Sequence, residues 1–251
     1  MTTPFDLSGQ TAIVTGANTG IGQAIALSLA AAGADIAAVG RTPAQDTVEK
    51  VRALGRQAQI VSADLSSIEP VQRVVDETLE KLGRLDILVN NAGIIRRADS
   101  VDFTEEDWDA VIDTNLKTTF FLCQAAGRHM LTQGAGKIIN IASLLSFQGG
   151  IRVPSYTASK SGVAGVTKLL ANEWAARGVN VNAIAPGYIA TNNTAALQAD
   201  ETRNRQIQER IPAGRWGDPD DIGGAAVFLA SSAAAYIHGH TLAVDGGWLA
   251  R

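Results

Sequence analysis

The chain has 251 residues, of which 46% are apolar and 18% charged, and its net charge is −4. This composition supplies a sizeable core and excludes an intrinsically disordered chain, and the acidic balance argues against nucleic acid as a partner, because phosphate binding needs a concentrated basic face. We also expect a cytoplasmic protein with no membrane partner, because MTTPFDLSGQ has neither a basic head nor an apolar run and no apolar stretch reaches the roughly 20 residues that span a bilayer.

Short β-branched segments alternate with helical patterns along the chain. Seven segments predict strands: TAIVT (11–15), DIAAV (35–39), AQIVSA (58–63), DILVN (86–90), KIINIAS (137–143), VNVNAIA (179–185) and TLAVD (241–245). Apolar residues at helical spacing predict helices over 20–32, 71–82, 107–132, 156–176 and 219–231. Strands that are apolar on both faces and separated by helices indicate a parallel sheet covered on both sides. We therefore expect a doubly wound α/β fold of the Rossmann type, with a seven-stranded parallel sheet in a single domain over 1–251.

A glycine-rich turn follows the first strand. The segment TGANTGIG places Gly16, Gly20 and Gly22 where the strand passes into a helix. Glycines there let the backbone approach a pyrophosphate, whose charge is then held by amide N–H groups and the positive end of the helix. The spacing G-x3-G-x-G alone also fits a simple tight turn. Its position after the first strand of a doubly wound sheet predicts dinucleotide binding.

The ends of the next strands carry further cofactor signals. The second strand ends in AVGRT, where an acid would indicate NAD and an arginine NADP. Gly40 occupies the position of the acid and Arg41 follows it, so these residues favour NADP, although Arg41 also fits a solvated loop. Asp64 ends the third strand, where it is placed to meet the adenine, and the turn NNAG ends the fourth strand, where the cofactor would lie against its backbone.

Tyr156 and Lys160 lie four residues apart in PSYTASKSG and so share one face of a helix. A nearby ammonium lowers the pKa of a phenol by favouring the phenolate, which makes the tyrosine a usable proton donor at neutral pH. Ser143 closes the fifth strand and brings its hydroxyl to the same edge of the sheet, within reach of a substrate oxygen. A lone Tyr-x-x-x-Lys is usually a surface pair, but together with Ser143, the glycine turn and NNAG it indicates a redox site.

These motifs, with the asparagine of DTNL and the dipeptide PG, stand in an order that resembles the short-chain dehydrogenase/reductase family over essentially the whole chain. The resemblance implies a catalytic tetrad of Asn115, Ser143, Tyr156 and Lys160. In it Tyr156 would transfer the proton, Ser143 would polarise the substrate oxygen, Lys160 would hold the ribose and lower the tyrosine pKa, and Asn115 would anchor a relay water. The implied cofactor-binding residues are Gly16, Asn18, Thr19, Gly20, Ile21, Gly22, Arg41, Asp64, Leu65, Asn91, Ala92, Gly93, Tyr156, Lys160, Pro186, Gly187, Ile189 and Thr191.

A narrower likeness concerns the substrate. The segments IIRR (94–97), SFQGGIRVPSYTASKSG (146–162), IAPGYIATNNT (184–194), RIPAGRWG (210–217) and VDGGWLAR (244–251) resemble the deoxygluconate and deoxy-ketogluconate dehydrogenases within this family. The likeness implies hydride transfer at a secondary alcohol or ketone of a sugar acid from uronate breakdown. Known members of that group are generally associated with NAD, whereas Gly40 and Arg41 favour NADP. We therefore expect NADP, with NAD as the alternative.

A sugar acid needs a charged donor for its carboxylate. We expect Arg152 and Arg96 to supply it, with Gln148 as a hydroxyl-binding neighbour beside Ser143 and Tyr156. Either arginine also fits an exposed surface or a subunit interface.

Two other functions remain open. A 3-oxoacyl or polyol reductase of the same family would share every redox motif, and a non-catalytic nicotinamide-sensing protein would share the fold, although the intact Ser143, Tyr156 and Lys160 disfavour it. The resemblance implies a homotetramer, with faces that include Phe120, Phe121, Val163, Val166 and Leu170. The polar stretch 191–210 is a candidate mobile lid, and no ligand spacing indicates a metal site.

Overall fold

The strands of the computed structural model, which describes residues 3–251, form a seven-stranded parallel sheet in the order β3-β2-β1-β4-β5-β6-β7. They are β1 (Thr11–Thr15), β2 (Asp35–Gly40), β3 (Ala58–Ser62), β4 (Ile87–Asn90), β5 (Gly136–Ile141), β6 (Val179–Pro186) and β7 (Thr241–Val244). The strand order reverses beside β1, which pairs with β2 on one side and β4 on the other. This is the switch point at which a doubly wound sheet opens a crevice. The predicted fold class is confirmed.

Helices connect the strands on both sides of this sheet. They are α1 (Gly20–Ala31), α2 (Gln45–Ala53), α3 (Val71–Leu82), α4 (Glu105–Ile112), α5 (Thr118–Gln133), α6 (Pro154–Trp174), α7 (Ala195–Ala199), α8 (Glu201–Arg210) and α9 (Asp220–Ala230). Apolar periodicity did not predict α2, a short helix whose buried residues are Thr47, Val48 and Val51. The single helix expected over 107–132 is instead α4 and α5, joined by a π-helical turn at Asp113–Lys117. Over residues 3–251, no helix combines the length and apolarity needed to cross a bilayer.

Two apolar cores lie on opposite faces of the sheet. On one face, Ile25 and Leu29 of α1 pack in one cluster with Leu229 of α9 and the β1 residues Ala12 and Val14. On the other, a second cluster contains Ile13 of β1 with residues of α3, α5 and α6, such as Val74, Leu122 and Leu170. Because alternate residues of β1 serve the two cores, all five of its residues are buried. The rigid sheet therefore holds the turns at its carboxyl edge in fixed positions.

A smaller apolar cluster lies beyond this edge, near the end of the chain. Leu144, Ile207, Ile211, Trp216 and Trp248 are its buried members. Ile207 is the one buried residue of α8 and is the side chain that this helix contributes to the cluster, together with Ile211 directly after it. The stretch 191–210 comprises a turn at Asn192–Thr194 followed by α7 and α8, and its mobility stays a prediction.

Candidate active site

A cleft of about 640 Å³ opens at the carboxyl edge of the sheet. It is bordered by the turns that follow β1, β4, β5 and β6 and by α8. The residues of the implied cofactor set that line it are Gly16, Asn18, Thr19, Gly20, Ile21, Gly22, Asn91, Ala92, Gly93, Tyr156, Lys160, Pro186, Gly187 and Thr191. Ser143 and Gln148 line the same cleft. The fold thus joins the glycine turn and the Tyr-x-x-x-Lys helix in one cavity of a size that suits a small ligand and its cofactor.

The glycine turn approaches β4 too closely for a side chain. Gly16 has a φ of 66°, in the left-handed region that favours glycine. A Cβ on Gly22 would overlap the carbonyl oxygen of Gly16 and the side-chain amide of Asn91. Thr19, the N-cap of α1, makes no side-chain capping bond, and the first turn holds no acidic residue. The first amide N–H groups of α1 therefore suit a phosphate anion, as a dinucleotide requires.

Thr15 and Asn91 bind the ends of β1 and β4 together. The Oγ1 atom of Thr15 accepts hydrogen bonds from the backbone N–H groups of Asn91 at 3.0 Å and Ala92 at 2.9 Å. The Asn91 side chain donates from Nδ2 to the carbonyl oxygen of Thr15 at 2.9 Å. These bonds fix the floor of the cleft between the glycine turn and the NNAG turn.

Tyr156 and Ser143 both line the cleft. Burial raises the pKa of the Tyr156 phenol, while a hydrogen bond with Ser143 and the positive charge of Arg97 act in the opposite direction. The Ser143 Oγ atom accepts a hydrogen bond from the N–H of Leu145 at 3.2 Å. Because that bond uses an oxygen lone pair, the hydroxyl proton is free for the Tyr156 or substrate oxygen. The sequence-based expectation of a lowered tyrosine pKa therefore fails in this structure, where burial is the largest influence.

Lys160 is buried beside this pair. Its Nζ atom donates a 2.6 Å hydrogen bond to the carbonyl oxygen of Ile141 and lies 5.7 Å from the centre of the Tyr156 ring. Burial lowers its pKa from 10.5 to about 8. The remaining donors of the ammonium are available to a ligand in the cleft.

Asn115 binds the backbone of Ile94, the residue that follows the NNAG turn. It lies in the π-helical turn between α4 and α5 and is 1% exposed. Its Oδ1 accepts a hydrogen bond from the N–H of Ile94 at 2.8 Å, and its Nδ2 donates to the carbonyl oxygen of the same residue at 2.9 Å. Since π-helical turns concentrate at functional sites, this reciprocal pair fits a positioning role for the asparagine.

Four predicted cofactor residues lie outside the cleft lining: Arg41, Asp64, Leu65 and Ile189. Arg41 and Asp64 stand at the ends of β2 and β3, where their side chains are exposed and 3.9 Å apart. Leu65 and Ile189 are buried. A loosely paired, exposed Arg41 remains accessible to the 2′-phosphate of NADP.

The structure places the two arginines proposed for the substrate carboxylate outside the cleft. The Nε atom of Arg152 pairs with Asp99 at 3.0 Å, and that of Arg96 pairs with Asp107 at 3.1 Å. Arg152 has a φ of 64°, the one left-handed residue other than glycine in the part of the chain that the structure describes. Both guanidinium groups therefore already have carboxylate partners at the surface.

The cleft contains three other arginines: Arg97, Arg203 and Arg210. Together with Lys160 they are its charged lining residues among those the structure describes, so every such side chain is basic. A sequence signal for two of them existed, because Arg203, Ile207 and Arg210 have the spacing of one helix face. Within residues 3–251 no group of three or more metal-ligating side chains occurs. The basic lining of the cleft suits an anionic ligand.

Comparison with known proteins gives concordant results. The short-chain dehydrogenase/reductase model described as enoyl-(acyl carrier protein) reductase matches residues 16–249. The chain is 59% identical to the 2-dehydro-3-deoxy-D-gluconate 5-dehydrogenase of Escherichia coli K12 over 248 residues, which cover 98% of each protein. It is 58% identical to the Bacillus subtilis protein of the same name, with 98% of this chain and 97% of that protein covered.

A solved structure shows the same similarity in three dimensions. The crystal structure of an Agrobacterium tumefaciens protein, assigned as a 2-deoxy-D-gluconate 3-dehydrogenase and holding bound NADP, superposes with a TM-score of 0.92. The two sequences are 60% identical, and the match covers 99% of each chain.

Proposed function

The chain belongs to the short-chain dehydrogenase/reductase family, and from this membership we propose that it transfers a hydride between NADP(H) and a secondary alcohol or ketone of a deoxy-ketogluconate-type sugar acid. One observation carries the proposal: the cleft that contains Ser143 and Tyr156 has an entirely basic charged lining among the described residues. In a chain of net charge −4, this concentration of positive charge suits a substrate with a carboxylate. The names of the relatives, dehydrogenases of a deoxy sugar acid, agree with that chemistry.

The proposed catalytic roles follow from the hydride and the proton that the reaction transfers. Oxidation removes a hydride from the alcohol carbon and a proton from its oxygen, and the bound nicotinamide supplies the hydride acceptor. Tyr156 takes the proton in this direction and returns it in the reverse direction. Ser143, whose oxygen accepts a hydrogen bond from Leu145 N–H, has its O–H available to donate a hydrogen bond to the substrate oxygen. The oxygen is thereby held between two hydroxyl groups.

Lys160 and Asn115 support this pair. The ammonium of Lys160, anchored on the carbonyl of Ile141, adds a positive charge beside Tyr156 and has donors for ribose hydroxyls. Its field stabilises the phenolate that forms when the tyrosine gives up its proton. Asn115 fixes Ile94 through two hydrogen bonds and so keeps the NNAG turn in place against the cofactor.

The residues present fit a dinucleotide. The turn around Gly16 and Gly22 leaves no room for side chains, and the free N–H groups at the start of α1 suit the pyrophosphate. Gly187 borders the nicotinamide end of the same cleft, where a Cβ would come within 2.6 Å of Asp245 Cα. Arg41, exposed at the end of β2, would hold the 2′-phosphate. NADP therefore fits better than NAD, which stays the alternative.

The competing substrate is an acyl chain on a carrier protein. Its recognition would call for basic charge at the rim of the cleft, whereas a small sugar acid needs arginines inside. Arg97 and Arg210 line the cleft, although their side chains are exposed, whereas Arg96 and Arg152 lie outside the lining and pair with carboxylates. Exposed arginines suit either substrate, so the preference for the sugar acid rests on the relatives at 59% and 58% identity, both of them named as deoxygluconate dehydrogenases.

Initial rates test the function. We expect rapid reduction of 2,5-diketo-3-deoxygluconate with NADPH, slower reduction with NADH, and little turnover of a 3-oxoacyl thioester. Turnover of the thioester alone would contradict the proposal, and a preference for NADH would contradict the role of Arg41.

We extend the proposal to a cytoplasmic homotetramer. Phe120, Phe121 and Val166 are only partly buried and remain available for a contact between subunits, whereas Val163 and Leu170 are buried within the chain itself. Light scattering after gel filtration tests the tetramer, which a monomeric mass would contradict. Cell fractionation tests the location.

A further inference from the structure

The three arginines of the cleft differ from Arg96 and Arg152 in their partners. Within residues 3–251, neither Arg97, Arg203 nor Arg210 has a carboxylate oxygen within 4.0 Å. A guanidinium group that faces a cavity without such a partner has its donors free for an anion. The three candidates are not equivalent, because only one of them is held against a buried side chain.

Arg210 is held in place by stacking. Its guanidinium carbon lies 3.9 Å from the centre of the Trp248 ring. Trp248 is 4% exposed, packs on Tyr188 at 4.6 Å between ring centres, and donates from Nε1 to the Oε1 atom of Gln148 at 3.3 Å. Stacking leaves the edge of the guanidinium free for a planar, bidentate partner. Because the side-chain oxygen of Gln148 accepts from Trp248, the side-chain N–H groups of Gln148 are the atoms available to bind a ligand.

The end of the chain fixes the backbone at Arg210. The guanidinium of Arg251 donates to the carbonyl oxygens of Arg210 at 3.2 Å and Glu209 at 2.5 Å. These bonds satisfy two of the last carbonyls of α8 and tie the helix to the segment that carries Trp248. Side chain and backbone of Arg210 are therefore both positioned by residues 248–251, which reduces the entropy lost when it binds a ligand.

Arg97 acts at a different place. Its positive charge acts to lower the pKa of the Tyr156 phenol, against the larger effect of burial. Its Nη2 atom donates to the carbonyl oxygen of Asn193 at 3.4 Å, a long contact with no stacking partner. Arg97 therefore lies nearer the reacting oxygen, and Arg210 lies nearer the wall formed by Trp248 and Gln148.

We propose that Arg210, stacked on Trp248, binds the substrate carboxylate and, together with Gln148, determines which carbon of the sugar acid is presented to Tyr156. This rests on the proposed function. When the reacting carbon lies several carbons away from the carboxylate in the sugar acid, Arg210 binds the carboxylate end of the substrate. Ser143 and Tyr156 then bind the oxygen of the reacting carbon. Arg210 is thus a specificity-determining residue contributed by α8.

The test compares an acid with its neutral counterpart. Arg210→Met keeps an unbranched side chain over the indole but removes the charge, and Arg205→Met makes the same change at a residue of α8 that does not line the cleft. Both variants and the wild type are assayed with NADPH against 2,5-diketo-3-deoxygluconate and against its C1 carboxamide. Circular dichroism establishes that the variants are folded.

We expect Arg210→Met to raise KM for the acid on the order of 10- to 100-fold, with a small change in kcat and no loss with the carboxamide. Arg205→Met should behave as the wild type does, and Arg210→Lys should restore part of the selectivity for the acid. An Arg210→Met enzyme that still prefers the acid as strongly as the wild type overturns the proposal.

The outcomes separate the two proposals. Wild-type enzyme that reduces neither compound contradicts the sugar-acid function itself and the role of Arg210 with it. Wild-type enzyme that reduces the acid, combined with unchanged selectivity in Arg210→Met, contradicts only the role of Arg210. If Arg97→Met removes the selectivity instead, the carboxylate site is at Arg97.

Discussion

The Nζ atom of Lys160 donates a 2.6 Å hydrogen bond to the carbonyl oxygen of Ile141, the last residue of β5. A helix is thereby joined to the sheet edge through a buried cation. Among the described residues no carboxylate lies within 4.0 Å of this ammonium, which faces the neutral carbonyl of Ile141 and the Tyr156 ring instead. Burial consequently lowers the pKa of Lys160 to about 8, and this has a measurable consequence for stability.

We expect Lys160→Met to raise the stability of the cofactor-free protein at pH 7. Below pH 8 the lysine is protonated in both folded and unfolded chains, so the folded state bears the full cost of the buried charge, about 3 kcal/mol. Between pH 8 and 10.5 the unfolded chain binds more protons than the folded one, so wild-type stability rises with pH relative to the variant. Urea unfolding at fixed protein concentration measures the difference at each pH.

The exposed Lys168 on the same helix gives the matched control, Lys168→Met. It removes the same charge from the same helix but from an exposed position, so it shows the effect of the charge change without that of burial. A difference between wild type and Lys160→Met that stays constant from pH 7 to 10.5 would show that burial of this charge is not the cause.

Tyr156→Phe should lower kcat by about 10²- to 10⁴-fold, because the variant keeps the ring but lacks the proton that the reaction moves. The dissociation constant for NADPH, measured by fluorescence titration, should change little. Tyr236→Phe is the control, because Tyr236 is 98% exposed. Near-normal turnover in Tyr156→Phe would eliminate this residue as the proton-transfer group.

Arg41→Ala should weaken NADPH binding by about 10- to 100-fold and leave NADH binding nearly unchanged, because only the 2′-phosphate would meet the guanidinium. The Nη1 atom of Arg41 lies 3.9 Å from Oδ2 of Asp64 and both side chains are exposed, so we expect Arg41→Ala to leave the fold unchanged. Calorimetric titration with both cofactors measures the change. Arg73→Ala, on α3 away from the cleft, should bind both cofactors as the wild type does. Equal losses for NADPH and NADH would be incompatible with a 2′-phosphate site at Arg41.

Two Gly→Ala substitutions in helices should act in opposite directions. In Gly22→Ala the new methyl group overlaps the Gly16 carbonyl and the Asn91 amide, so we expect a loss of about 2 kcal/mol in unfolding free energy and weaker NADPH binding. In Gly224→Ala, on the exposed face of α9, the methyl group meets no atom within 4 Å. Alanine is the better helix former, so we expect a gain of about 0.5–1 kcal/mol.

Thermal and urea unfolding of both variants measure these changes, with NADPH titration as the second readout. If Gly22→Ala binds NADPH with wild-type affinity, the tight approach of this turn to β4 is not needed for the cofactor site.

The sequence predicted the central strands well because strands buried on both faces, such as β1 and β4, leave a continuous apolar run. All seven strands lie within about two residues of their predicted bounds, and the fold class followed. Helix α2 was not predicted because it buries too few apolar side chains, Val48 and Val51, to leave a clear helical pattern. The division between α4 and α5 was equally invisible, since a π-helical turn at Asp113–Lys117 keeps the chain helical and changes only its hydrogen-bond pattern.

Which arginines line the cleft depends on contacts in the folded chain that no local sequence pattern records. Motif order along the chain was sufficient to nominate Ser143, Tyr156 and Lys160, because residues at the carboxyl ends of parallel strands and at the start of the following helices necessarily gather at one edge. No local pattern distinguished Arg97 from its neighbour Arg96, and the helical spacing of Arg203, Ile207 and Arg210 did not show that this helix face meets the cleft. Those differences arise from partners distant in sequence, Trp248 for Arg210 and Asp99 for Arg152, and a guanidinium group is directed by whichever partner the folded chain brings beside it.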